Sequence, residues 1–255
     1  MPHFAANLTM MFNEWGFLDR FKAAADAGFD AVEFLFPYEH APDVLAKLLQ
    51  KNNLKQVLFN LPPGNWANGE RGIAALADRA AEFRTSVDIA LTYAAALNAP
   101  TLHVMSGHAA RADYTALVAY REALAFACEA AARHNITIVI EPINARDMPG
   151  YFLNDFNFAS DLINELSFPN LKLQYDIYHR QIIHGDVMRG LEKLMPIIGH
   201  IQIAAVPLTH EPMTGELDDA HLFRHLDTLG YDKFVGCEYR PANNTVSGLK
   251  WMKAL

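Results

Sequence analysis

Four residues with oxygen donors, Glu141, Asp176, Gln202 and Glu238, each close an apolar, β-type run: ITIVIEPIN, LKLQYDIYH, HIQIAAV and FVGCEYRP. Their gaps are 35 (141 to 176), 26 (176 to 202) and 36 (202 to 238) residues, each near the roughly 30 residues of one strand–helix unit. Successive parallel strands would bring all four to one rim. A carboxylate there gains nothing as core filling, because burying it costs several kcal/mol unless it is paired or metal-bound. Three carboxylates and an amide suit a hard divalent ion, Mg²⁺ or Mn²⁺, better than zinc. Such an ion can hold two adjacent oxygens of a hydroxycarbonyl compound while Glu141 and Glu238, from non-adjacent strands, move the proton. The alternative for any one of the four is a helix cap or a surface ion pair, and four in consecutive units argue against that.

Further candidates surround this set. His179 lies three residues past Asp176 and could bond to a substrate oxygen or to a loop carbonyl. His103, within TLHVMSG, reads first as a satisfied core histidine and second as a substrate contact. Glu33, at the end of the second strand, is suited to hold such a histidine or a rim arginine. The run NLPPGNWANGERG places Trp66 and Arg71 in a segment fit to cover a small anion, since arginine pairs with a carboxylate through two hydrogen bonds. Arg240, next to Tyr239 and Glu238, is a second cation for the same task.

The elements that must carry these groups alternate along the chain. Strands are expected at 3–8, 31–36, 56–60, 101–105, 136–141, 171–176, 199–203 and 234–238, with helices at 15–27, 42–51, 73–97, 114–134, 154–166, 186–195 and 220–229 and a short closing helix after residue 245. Gly28, Asn53, Asn98, Asn135, Asn170 and Gly230 stand between helix and strand, where a left-handed residue ends a helix. Eight repeats without a linker, over residues 1–255, predict one α/β domain, a single (β/α)8 TIM barrel. The longest loops follow strands, on the face where such barrels place their chemistry. No dinucleotide fingerprint or P-loop is present.

With 29 acidic against 21 basic residues and a net charge of −8, the chain is poorly suited to gripping a nucleic-acid backbone. It has no apolar run long enough to span a membrane and no signal-like start, so a cytoplasmic protein is expected. Cys128 and Cys237 sit far apart in apolar contexts and form neither a disulfide framework nor a zinc motif. The expected partner is a small sugar acid, with no nucleic acid and no membrane; the charge balance leaves room for a local arginine to bind it.

The segments FNLPPGNWANGERG, VIEPIN, LQYDIYH, HIQIA, HEPMTGEL and LGYDKFVGCEYRP resemble the hydroxypyruvate isomerase and 2-oxo-tetronate isomerase family of xylose isomerase-like barrels, over essentially the whole chain. The resemblance implies a metal-dependent aldose–ketose isomerase acting on hydroxypyruvate or a related four-carbon 2-oxo acid. It makes Glu141 and Glu238 the acid/base pair, with Asp176 and Gln202 completing the metal site. Ketose 3-epimerases of similar layout carry histidine where this chain has Gln202. Ala204, Ala205 and Val206 stand where many isomerase relatives have an aspartate-containing segment. Zinc-dependent apurinic endonucleases share the superfamily but need several histidines and a basic face. A barrel that binds a sugar acid without turning it over is the third alternative.

Overall fold

The structure, a computed structural model, describes residues 2–253. Eight parallel strands, β1 (His3–Asn7), β2 (Ala31–Glu33), β3 (Lys55–Asn60), β4 (Thr101–His103), β5 (Thr137–Ile140), β6 (Leu171–Asp176), β7 (Ile198–Ile203) and β8 (Phe234–Cys237), close in sequence order, with β8 back on β1. Around them run α1 (Phe17–Asp26), α2 (Pro42–Lys51), α3 (Ala80–Leu97), α4 (Tyr114–Ala132), α5 (Phe156–Leu166), α6 (Ile177–Ile183), α7 (Val187–Leu194), α8 (Asp219–Thr228) and α9 (Thr245–Gly248). The expected (β/α)8 barrel is the observed one.

Most apolar burial lies between barrel and helices, where Phe21, Tyr120, Leu124, Phe156 and Leu222 pack. A separate small cluster, Ala5, Ala31, Val57, Leu58 and Val139, fills the barrel itself. Side chains alternate along a strand, so Ala5, Ala31 and Val139 share a face with Asn7, Glu33 and Glu141 two residues further on. The interior is therefore apolar at its base and polar toward the carboxyl ends of the strands. Asp176 pairs in register with Gln202, and Gln174 with His200, which stacks two polar layers on β6 and β7.

The helix expected over 73–97 begins only at Ala80. Gly72 bridges to Ser106, and the Ala75 amide donates to the Ser106 carbonyl at 2.8 Å, so Ile73, Ala74 and Ala75 are buried as a loop lying on the chain after β4. Helix α5 ends on Ser167 at φ 54°, while Asn170 instead ties the Cys128 and Ile136 carbonyls together through its side-chain amide. Left-handed residues do occur at Gly28, Asn53, Asn98, Asn135 and Gly230. Helix α6 falls in a stretch with no expected element.

Gly236, on β8 beside Gln202, leaves the room that the Glu33 carboxyl occupies; a Cβ there would fall on that carboxyl. Gly236→Ala should therefore cost about 1–3 kcal/mol in urea unfolding, the usual range for overpacking. Unchanged stability would show that Glu33 is not confined by this strand.

Candidate active site

The four oxygen-donor residues do gather at the carboxyl ends of β5 to β8. Asp176 is the last residue of β6, Gln202 lies in the last turn of pleat of β7, and Glu141 and Glu238 follow β5 and β8 directly. Glu141 and Asp176 are buried, and Glu238 is partly so. Donor atoms of Glu141, Asp176 and His179 all lie within 4.8 Å of one another, a group that could hold a metal ion. Glu238 is outside that group but close enough to feel the charges of Glu141 and Asp176.

Asp176 serves as a helix cap, one of the readings that the sequence left open. Its Oδ1 caps α6, accepting from the Tyr178 amide at 2.7 Å and the His179 amide at 3.3 Å. This cap fixes the position of His179, whose Nε2 lies 3.8 Å from Glu141 Oε1 and 3.9 Å from Asp176 Oδ2. Those distances exceed a hydrogen bond and leave space between the three groups.

Gln202 is held from two sides. Its Nε2 donates to Glu33 Oε1 at 2.8 Å, and its Oε1 accepts from Gln174 Nε2 at 2.5 Å. Glu33 also accepts from Asn7 Nδ2 at 3.0 Å, and its Oε2 meets His200 Nε2 at 2.7 Å. Because a carboxylate takes only the NH₂ end of an amide, Glu33 sets which end of Gln202 faces the rim. The amide oxygen keeps a second lone pair beyond the Gln174 bond. Glu33 thus partners a histidine, as one of the two sequence readings had it, but the histidine is His200. Asn7, Gln174 and His200 were not singled out from sequence; their signal is a polar residue two positions before, or directly beside, a rim ligand on an otherwise apolar strand.

His103 is not the satisfied core histidine that its context favoured. It is buried, neither ring nitrogen has a hydrogen-bond partner, and Nδ1 is 3.8 Å from Glu141 Oε2. Burial lowers its pKa to about 3, helped by His200 and His179, so the ring is neutral and offers one donor and one acceptor. Burial likewise lowers the His179 pKa, against the pull of Asp176 and Asp147.

Arg71 is occupied within its own loop. It donates to the Trp66 and Glu70 carbonyls at 3.2 and 2.8 Å and lies 3.9 Å over the Trp66 ring, which packs edge-on against Phe36. Glu70 pairs with Arg79 at 2.8 Å and receives the Asn65 amide, so the loop is tied to the start of α3. The Arg240 side chain is exposed and forms no ion pair among the described residues, while its carbonyl meets His210 Nδ1 at 2.9 Å.

Burial drives the Glu141 carboxyl well above the ordinary glutamate range; Asp176 adds to this and the Gln174 amide opposes it. Burial raises Asp176 too, against His179 and the two capping amides. Glu238 is raised by burial and by Glu141, Glu33 and Asp176. Among the described residues no lysine or arginine pairs with any of the three, and Glu141 Oε1 is buried without a partner. Acids buried together without a cation fit a bound divalent ion.

The model of the xylose isomerase-like TIM barrel matches residues 21–255. The chain belongs to that family. This xylose isomerase-like barrel is 54% identical to 2-oxo-tetronate isomerase of Cupriavidus necator, over 99% of this chain and 98% of that protein. It is 41% identical to hydroxypyruvate isomerase of Escherichia coli, over 99% and 98% respectively. A crystal structure of a Brucella melitensis protein described as an AP endonuclease, family 2, superposes with a TM-score of 0.97 at 49% identity, covering 100% of this chain and 99% of that one. No described helix of this barrel is long and apolar enough to cross a membrane.

The raised carboxyl pKa values fix a sign. The metal-free fold binds protons that the unfolded chain would release, so the stability these groups contribute at low pH is lost as pH rises above the ordinary carboxylate range. A divalent ion needs the same groups ionised and reverses the trend. The stabilisation caused by Mn²⁺ in thermal unfolding should grow as pH rises above the ordinary carboxylate range of about 4, reaching about 2.7 kcal/mol at a hundredfold excess over Kd. A Mn²⁺ effect that does not vary with pH would contradict this.

Proposed function

We propose that the protein is a metal-dependent aldose–ketose isomerase of small 2-oxo sugar acids, interconverting 2-oxo-tetronate and 3-oxo-tetronate, or hydroxypyruvate and tartronate semialdehyde. The observation that carries the reading is the set of buried and half-buried carboxyls, unpaired with lysine or arginine among the described residues, at the carboxyl rim of a barrel 54% identical to a 2-oxo-tetronate isomerase. The greater identity to that relative than to the 41% hydroxypyruvate isomerase favours the four-carbon pair. The residues that would hold the ion are Glu141, Asp176, Gln202 and Glu238, and the all-oxygen set suits Mg²⁺ or Mn²⁺. When bound, the ion supplies Lewis-acid stabilisation of negative charge on the substrate oxygens.

The chain's own groups account for the proton movements. One of Glu141 and Glu238 removes the proton from the hydroxyl-bearing carbon beside the carbonyl, giving an enediolate. The other returns a proton to the former carbonyl carbon, and the hydroxyl proton passes to the former carbonyl oxygen. Burial, which raises both carboxyl groups above the ordinary glutamate range in the ion-free site, favours their taking up a proton from carbon. His179 and His103 face the same space and offer hydrogen bonds to substrate oxygens. Arg71, whose loop hydrogen bonds engage only Nη1 among the described residues and leave Nε and Nη2 to pair, serves the substrate carboxylate, with Arg240 as the alternative. The apurinic endonuclease reading, with its histidine-rich zinc cluster and basic face, is disfavoured by a cluster with one histidine and a net charge of −8. The Gln202 amide, in place of a histidine, disfavours a ketose 3-epimerase. A single domain over the whole chain and a cytoplasmic location complete the proposal.

Glu141→Gln and Glu238→Gln should each lower kcat by at least about 10²-fold with little change in stability. In D₂O the wild-type enzyme should place deuterium on the carbon next to the carbonyl as isomer forms. A folded variant with near wild-type turnover, or nicking of abasic DNA with no isomer from any sugar acid, would sink the reading. Arg71→Met should raise KM for a carboxylate-bearing substrate far more than for a neutral sugar, since a charge-assisted pair is worth on the order of 2 kcal/mol. Equal small effects would move the role to Arg240 or His210.

A further inference from the structure

His179 has two ring nitrogens, and which of them carries the proton decides what it can do. Its Nδ1 lies 2.7 Å from Asn144 Nδ2, and the Asn144 backbone amide points at the same nitrogen from 3.5 Å. The buried Asn144 side chain cannot turn its amide around. Its Oδ1 accepts from the backbone amides of Arg146 and Asp147, both at 3.0 Å, and its Nδ2 donates to Asp147 Oδ2 at 2.9 Å. A flipped amide would set NH₂ against two N–H donors and an oxygen against a carboxylate. Asn144 therefore presents a donor to Nδ1, and Nδ1 must supply the lone pair. In the neutral ring the proton then sits on Nε2, the nitrogen that faces Glu141 and Asp176.

A nitrogen that carries a proton cannot ligate a metal ion, and it can donate to an oxygen. We propose that Asn144 is a positioning residue that locks His179 in the Nε2–H tautomer, keeping it out of the metal's coordination shell and committing it as a hydrogen-bond donor to a substrate oxygen. Proximity alone groups Glu141, Asp176 and His179 as ligands. The polarity of the Asn144 contacts removes His179 from that group and leaves the site to oxygen donors. The donor role rests on the isomerase reading above; the tautomer lock does not.

The test is the ¹⁵N–¹H long-range spectrum of ¹⁵N-histidine-labelled full-length protein, with the His179 signals identified by their loss in His179→Gln. Wild type should show Nδ1 at the shift of an unprotonated ring nitrogen and Nε2 at that of an N–H. In N144D the side chain can accept from Nδ1–H, and the pattern should reverse. The double variant N144D/D147N guards against misfolding, since it restores an amide beside the new carboxylate; it should show the same reversal. Both variants should lose about 10²-fold in kcat, the usual cost of removing one donor to developing charge, with KM changed much less. They should also bind Zn²⁺ at least about tenfold more tightly, because Nε2 now offers a lone pair beside two carboxylates. A wild-type spectrum with Nδ1 protonated, or a folded double variant that keeps the wild-type pattern, would overturn the lock. Reversal without loss of kcat would overturn the donor role. Tautomer reversal in a protein that isomerises no sugar acid would leave the lock standing and refute the isomerase reading instead.

Discussion

Several carboxyl groups share one small, largely dry volume at the mouth of this barrel, and no lysine or arginine of the described chain shares it with them. Two unit charges about 4 Å apart repel by about 4 kcal/mol at an effective dielectric constant of 20. That is a large part of the 5–15 kcal/mol by which a typical fold exceeds its unfolded state. The arrangement is sustainable only if the groups are protonated, hydrogen-bonded or neutralised by a cation. The polar interior can be understood as these three solutions applied to different members of the set.

Glu33 has the hydrogen-bonded solution. Asn7, His200 and Gln202 give its carboxyl three contacts, and Gly236 leaves it room. Asp176 is partly satisfied: one oxygen caps α6 and the other remains turned toward the cluster. Glu141 keeps one buried oxygen lacking any partner. The unmet demand thus increases from the barrel interior to the rim, and the groups with the most distorted pKa values are those assigned to proton transfer. Helix α6 couples the layers, since the same Asp176 that would face an ion also places His179, and the Asn144 amide beside Nδ1 then bears on which His179 nitrogen carries the proton.

Much of this was legible in the sequence because the barrel repeats. Apolar strand-like runs, left-handed asparagines and glycines, and polar residues at strand ends recur with the strand–helix units, so the eight strands and the rim residues Glu141, Asp176, Gln202 and Glu238 could be placed. What escaped detection depends on neighbours distant in sequence. His200 and Gln174 look like ordinary polar interruptions of a strand until the register of β6 and β7 sets them side by side. Asn144 sits in a turn whose internal hydrogen bonds give its amide a direction, which no periodicity encodes. The apolar residues 73–75 read as helix because burial, not helical spacing, selected them. The apolar context of His103 reveals that its ring is buried but not whether its nitrogens are paired.

Anomalous diffraction from crystals of the Mn²⁺-loaded protein tests the central claim most directly, because it shows where a cation relieves the carboxyl cluster and through which atoms. The account predicts one peak at the carboxyl rim, bonded to oxygens of Glu141, Asp176, Gln202 and Glu238, with His179 Nε2 outside the coordination shell. A peak ligated by His179 nitrogen, or no peak among these residues at saturating Mn²⁺, would contradict it.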